Sequence, residues 1–139
     1  MEDGLEQAKQ VEKLYLEVVE DTLNLGGQAP IKIWLRPMRY PVEKTRALMA
    51  NRETYNLMKS DGSEDEDAII GGYCALRLMT VFYSVRKTEK PDSPRLFESL
   101  RQAGSVNPQE LDRLFIGYQE SFEMSEDDLG NSLRAKTNS

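Results

Sequence analysis

The sequence predicts a mainly α protein, a small single-domain helical bundle around a buried central helix, with a short β element near residues 31–36. Three observations predict it. Ala68 to Val85 is apolar nearly all the way round a helix. Asn107-Pro108-Gln109-Glu110 combines a capping residue, a first-turn proline and a Glu at the third position, the best local helix start in the chain. Ile31 to Arg36 alternates as a half-buried strand does, with Ile31, Ile33 and Leu35 inward. A chain of 139 residues suffices for one core of three or four helices, so one domain is expected over 1–123, followed by a polar, largely flexible tail at 124–139.

Taken in order, Gly4 to Leu25 places Leu5, Ala8, Val11, Tyr15, Val18 and Leu25 at helical intervals, which predicts an amphipathic helix. Leu14, Leu16 and Val18 also alternate with Tyr15 and Glu17 in a strand-like way, so Tyr15 to Leu25 stays open. Gly26-Gly27-Gln28-Ala29-Pro30 is a break. If the segment before it is extended, it supplies a strand partner for 31–36 across that turn; otherwise the partner lies on another subunit. Each proline of Arg36-Pro37-Met38-Arg39-Tyr40-Pro41 biases the preceding residue toward extended geometry. Pro41 then suits a first helical turn, with Val42, Thr45, Leu48, Met49, Arg52 and Tyr55 running to about Met58.

Ser63 with Glu66 reads as a capping box for the central helix, reinforced by Asp65, Glu66 and Asp67 at its positive end and by Arg86 and Lys87 at its exit. The helix does not read as a membrane span. Its seven Leu, Ile, Val or Phe residues contribute roughly 0.3–0.6 kcal/mol each, which Arg77 near the middle offsets by about 2.5–3.5 kcal/mol. Arg77, Thr80, Ser84 and Lys87 form one seam expected to touch water. Gly71-Gly72 should cost about 1 kcal/mol per glycine inside a helix, so Ala68, Gly71, Gly72 and Ala75 are expected to form a small-residue face against a close neighbour, either the C-terminal helix pair or a second subunit. The simpler alternative is a helix that begins after Gly72. Ser93 and Pro94 open a further helix carrying Leu96, Phe97 and Leu100 and ending at Gly104, and Leu111, Leu114, Phe115, Tyr118 and Phe122 give the last helix its buried stripe.

The chain has no His and a single Cys, so zinc sites, Cys/His nucleophiles and Ser/His/Asp triads are outside its repertoire. No Gly-rich phosphate loop and no ordered calcium loop appear, and neither catalysis nor a cofactor is expected. Cys74 reads as a buried small hydrophobe, and with no leader-like start the expected compartment is intracellular. Net charge is −6, unevenly spread: Lys32 to Lys59 holds seven basic residues against Glu43 and Glu53, and Glu110 to Asp128 holds seven acids against Arg113. Trp34, Arg36, Arg39 and Tyr40 have the composition of a nucleic-acid platform. Net acidity opposes phosphate binding, and a strand with basic side chains on its wet face is the preferred reading. A helix-turn-helix is disfavoured because Glu110, Asp112, Glu120 and Glu123 would face phosphates.

The strand Ile31-Lys32-Ile33-Trp34-Leu35-Arg36-Pro37-Met38, the following helix, the acidic loop, the largely apolar helix and the late Asn-Pro-Gln-Glu-Leu-Asp-Arg-Leu-Phe-Ile-Gly-Tyr-Gln-Glu segment together resemble the tail assembly chaperones of long-tailed bacteriophages over about Ile31 to Glu120. The resemblance implies a small, mostly helical, non-enzymatic protein of the host cytoplasm that self-associates and coats the long helical tape-measure protein while the tail is built. A longer form made by ribosomal frameshifting is common in that family. Met38, Met49, Met58 and Met79 are candidates for adaptable contacts, and Trp34, Arg36, Met38, Arg39 and Tyr40 are the expected partner-binding residues. Two other readings are a small nucleic-acid-binding regulator using 32–59 and an acidic structural adaptor that stays in the finished assembly.

Overall fold

A computed structural model describes residues 4–9 and 17–123. The elements run α1 (residues 4–9), β1 (Val19–Leu23), β2 (Ile31–Leu35), α2 (Val42–Ser60), α3 (Asp65–Ser84), β3 (Val85–Arg86), α4 (Leu100–Ala103) and α5 (Pro108–Phe122). The fold is mostly helical, with a three-stranded antiparallel sheet of order β1-β2-β3. The part of the expected first helix at 10–16 and the expected tail at 124–139 lie outside the described residues.

Of the segment left open at Tyr15 to Leu25, Val19–Leu23 is the strand β1. It pairs with β2 from Val19↔Leu35 to Leu23↔Ile31, so the partner strand is in the same chain. Gly26 and Gly27, at φ 66° and 67°, make the reversal in a conformation that costs a glycine little. Once the chain is turned back, the ladder beside β2 satisfies backbone groups and outweighs a helical periodicity that has no face to bury. Val19, Asp21, Leu23, Ile33 and Leu35 share the covered side, while Ile31 at the strand end is exposed. The helix α5 crosses that side, where a Cβ at Gly117 would sit 3.5 Å from Asp21 Oδ2 and 3.8 Å from Leu35 Cδ1.

The central helix α3 starts at Asp65, before the glycine pair, and ends at Ser84. The capping box is not formed: Glu64 occupies the cap position without a side-chain hydrogen bond, leaving Asp65, Glu66 and Asp67 to offset the exposed amides and dipole. At the other end Arg86 lies in a strand and is buried, yet its Nε donates to the Tyr83 carbonyl oxygen at 2.9 Å, so it still satisfies the last turn. Thr80 and Ser84 are buried, so the predicted wet seam reaches water only at its two ends, Arg77 and Lys87. Conversely Cys74, expected in the core, is exposed. Among the described residues no helix is long and apolar enough to cross a membrane.

The neighbour that needs the small-residue face is α2, which runs antiparallel to α3 as a helical hairpin. A Cβ at Gly72 would lie 2.8 Å from the Asn51 carbonyl oxygen and closer still to Asn51 Oδ1, whereas one at Gly71 would meet the thioether of Met58. A backbone oxygen cannot swing aside as a Met side chain can. Gly72→Ala is therefore expected to destabilise by about 1–3 kcal/mol through forced separation of the helices, and Gly71→Ala to be near neutral, its strain offset by helix propensity worth about 1 kcal/mol. Paired urea-denaturation midpoints test this; equal effects at both positions would contradict it.

The region 93–104 is corrected as well. Only Leu100–Ala103 is helical, capped by Ser99 and ending at Gly104. Ser93 instead closes the 87–95 loop, its Oγ accepting from Thr88 N–H at 2.8 Å, and Arg95 bridges Arg86 at the sheet edge. The start of α5 forms as expected, with Asn107 Oδ1 accepting from Gln109 N–H at 2.9 Å and Pro108 in the first turn. Leu114, Phe115 and Tyr118 join Leu23, Ile33, Leu35, Val81 and Val85 in one core cluster.

Candidate partner-binding site

The five residues expected to meet a partner are not presented alike. The strand end and the Arg36-Pro37 step carry Arg36 inward, where its side chain is 3% exposed and its Nη2 donates to both Glu43 carboxylate oxygens at 2.7 and 2.8 Å. Met38 is buried, and its N–H donates to the Tyr118 hydroxyl at 2.9 Å. Trp34 and Arg39 are half-buried, Arg39 donating its N–H to Glu43 Oε1 at 3.0 Å and its Nη2 to the Pro91 carbonyl at 2.9 Å. Tyr40 alone of the five stands out, at 70% exposure. The Arg-Pro segment is thus largely an internal strap that fastens β2 to the first turn of α2.

Arg86 from β3 joins the strap, with Nη2 3.3 Å from Glu43 Oε2 and Nη1 donating to the Ser93 carbonyl at 3.0 Å. Burial, and then the neighbouring Arg36 cation, push its guanidinium down to about 10 against the pull of Glu43, which leaves it charged at neutral pH. The rest of the basic span is largely answered by acids: Lys32 meets Glu20 and Lys44 meets Glu123, each at 2.9 Å, and Lys59 lies 3.9 Å from Asp65. Lys32, Lys44 and Lys59 thus each stand beside an acid, which weakens the attraction of the 32–59 span for phosphate.

Apolar side chains are exposed elsewhere, on the α2/α3 hairpin. The C-terminal end of α3 is covered by α4, α5 and β3, and its buried residues gather at Thr80–Ser84. Toward the N-terminal end, among the described residues, α2 lies against it along Ala68 and Gly72. Ile69, Ile70 and Tyr73 are left in water there, Ile70 at 60% exposure, with Leu48, Met49 and Leu57 exposed on α2. Ile69, Ile70 and Tyr73 fall within one arc of about 100° on α3, at the spacing of about 3.6 residues per turn. Sequence reasoning missed this face because a helix that is apolar all round reads as buried all round, and nothing in its residues says that one end lacks a cover.

One concave feature is an open cleft of about 440 Å³ lined by Asn24, Leu25, Gly26, Asn107, Glu110 and Arg113. Glu110 accepts from Asn24 N–H at 3.1 Å and from Arg113 Nη2 at 2.6 Å, while Arg113 also reaches Asp21 at 3.1 Å and the Thr22 carbonyl. The Arg113 hydrogen bonds hold the Glu110 carboxyl down to about 2 against the opposing effect of burial, and Glu110 in turn raises Arg113. An acid bonded to both Asn24 and Arg113 is a clamp between the β1–β2 hairpin and α5. Among the described residues no group of three or more His, Cys, Asp or Glu could hold a metal. Compared with protein-family models, curated proteins and solved structures, the chain matches none.

Proposed function

We propose that the protein is a non-enzymatic binder of a helical protein client, acting as a tail assembly chaperone on a phage tape-measure protein, in keeping with the family its sequence resembles. The observation that supports this reading is the arc of exposed apolar side chains on α3, at Ile69, Ile70 and Tyr73. An amphipathic client helix buries its own stripe against such a face, and repetition along a long client multiplies individually weak contacts. Under this reading the protein works in the host cytoplasm, self-associates on its client and leaves before the assembly is complete.

Co-expression with a long helical tape-measure protein tests the reading. Ile70→Asp combined with Tyr73→Asp is expected to lower client affinity by about 100-fold, since truncating two central contacts costs of the order of 1–2 kcal/mol each. The melting temperature should stay within a few degrees of the parent, because both side chains are exposed. Undiminished co-purification with the double variant would sink the proposal.

A further inference from the structure

Two exposed arginines lie against the Phe82–Tyr83 pair at the C-terminal end of α3, with no carboxylate partner among the described residues. Arg46 on α2 donates Nη1 to the Tyr83 hydroxyl at 3.3 Å, and Arg95 from the loop lays its guanidinium over the Phe82 ring, 4.5 Å from the centroid, and 6.0 Å from that of Tyr83. Ring stacking fixes the plane of a guanidinium while leaving its edge N–H groups free to fork a carboxylate. Behind them stand Arg36 and Arg86, two buried cations that share the one carboxylate of Glu43, and the Arg36 Nε is buried without a hydrogen-bond partner. The loop adds Lys87 and Lys90 against Glu89 and Asp92, so its own charges cancel apart from Arg95. A local cationic excess therefore persists in a chain whose net charge is −6.

We propose that Arg46 and Arg95, oriented by Tyr83 and Phe82 and backed by the Arg36–Glu43–Arg86 set, bind neighbouring carboxylates of an acidic segment in a partner protein. The site is separate from the apolar face of the hairpin and does not depend on its role. Two forks held on different elements suit two carboxylates on one chain. The attraction of a nucleic-acid backbone, by contrast, is weakened by the acids beside Lys32, Lys44 and Lys59.

The test is fluorescence anisotropy with a labelled hexaglutamate peptide and the full chain at low salt, beside a labelled DNA single strand. Arg46→Gln with Arg95→Gln is expected to weaken peptide binding by about tenfold. Arg52→Gln with Arg101→Gln, which removes the same charge from two other exposed positions, is expected to change it by less than about twofold. If the glutamine pair lowers the melting temperature, Arg46→Lys with Arg95→Lys is read in its place with the same direction, since lysine keeps the stem and loses the fork. Absence of peptide binding, equal weakening by both charge-matched pairs, or tighter site-dependent binding of the DNA strand would each overturn the assignment.

Discussion

Replacing Glu43 by alanine is expected to cost about 3–5 kcal/mol, the usual penalty for removing one partner of a buried ion pair. That is a large part of the roughly 5–15 kcal/mol that separates folded from unfolded domains. The carboxylate receives two bonds from Arg36, one from Arg86 and one from the Arg39 N–H. Without it, two guanidiniums whose side chains are 3% and 10% exposed face each other with no anion between them. The desolvation that already depresses Arg86 would then act unopposed. Glu43→Gln keeps a carbonyl acceptor for one arginine and should cost less. Arg36→Met added to Glu43→Ala should recover part of the loss, because an apolar chain of similar length needs no counterion. Urea-denaturation midpoints of the four proteins measure all three effects. A loss below about 1 kcal/mol for Glu43→Ala would mean that water reaches Arg36, and that the strap is not what holds β2 to α2.

The same strap shows what the sequence could and could not reveal. Features decided within a few residues were legible: the Asn107-Pro108 start of α5, the Gly26-Gly27 reversal, the alternation of β2, and the close approach implied by Gly72. Features decided by distant partners were not. The strand β1 carries a helical periodicity, and only pairing with β2 across the turn selects the extended form. Arg36 reads as a wet residue and Arg86 as a base at a helix exit, because each is charged. Their burial depends on Glu43 arriving from α2 and on Ser84 and Val85 pairing with β2, none of which is local to Arg36. The exposed face of α3 failed in the opposite sense, since hydrophobicity was visible but its cover was not. Ser63 and Glu66 match a capping pattern, yet the helix begins two residues after Ser63 and its acidic first turn offsets the same dipole. Of the five residues expected to meet a partner, Arg36 and Met38 are buried, with Glu43 and Tyr118 as their polar partners there.

Acid should find the second clamp. The Glu110 carboxyl is held at about 2 in the folded protein against 4.5 as its ordinary value. A depressed folded value contributes stability that is fully present above about 4.5 and disappears as pH falls toward about 2. The depression corresponds to roughly 3 kcal/mol, and since the Arg113 side chain is 41% exposed, solvent screening reduces the expected contribution to about 2 kcal/mol. Glu110→Gln should therefore destabilise by about 2 kcal/mol at neutral pH and by much less near pH 3, where the wild-type carboxyl is losing its advantage over the unfolded chain. Glutamine still offers an oxygen to the Asn24 N–H, and Asp21 still pairs with Arg113, so the loss isolates the charge at Glu110. Urea midpoints of both proteins across that pH range should converge. A gap that stays constant would place the effect in packing at the β1–β2 turn and not in the Glu110–Arg113 interaction.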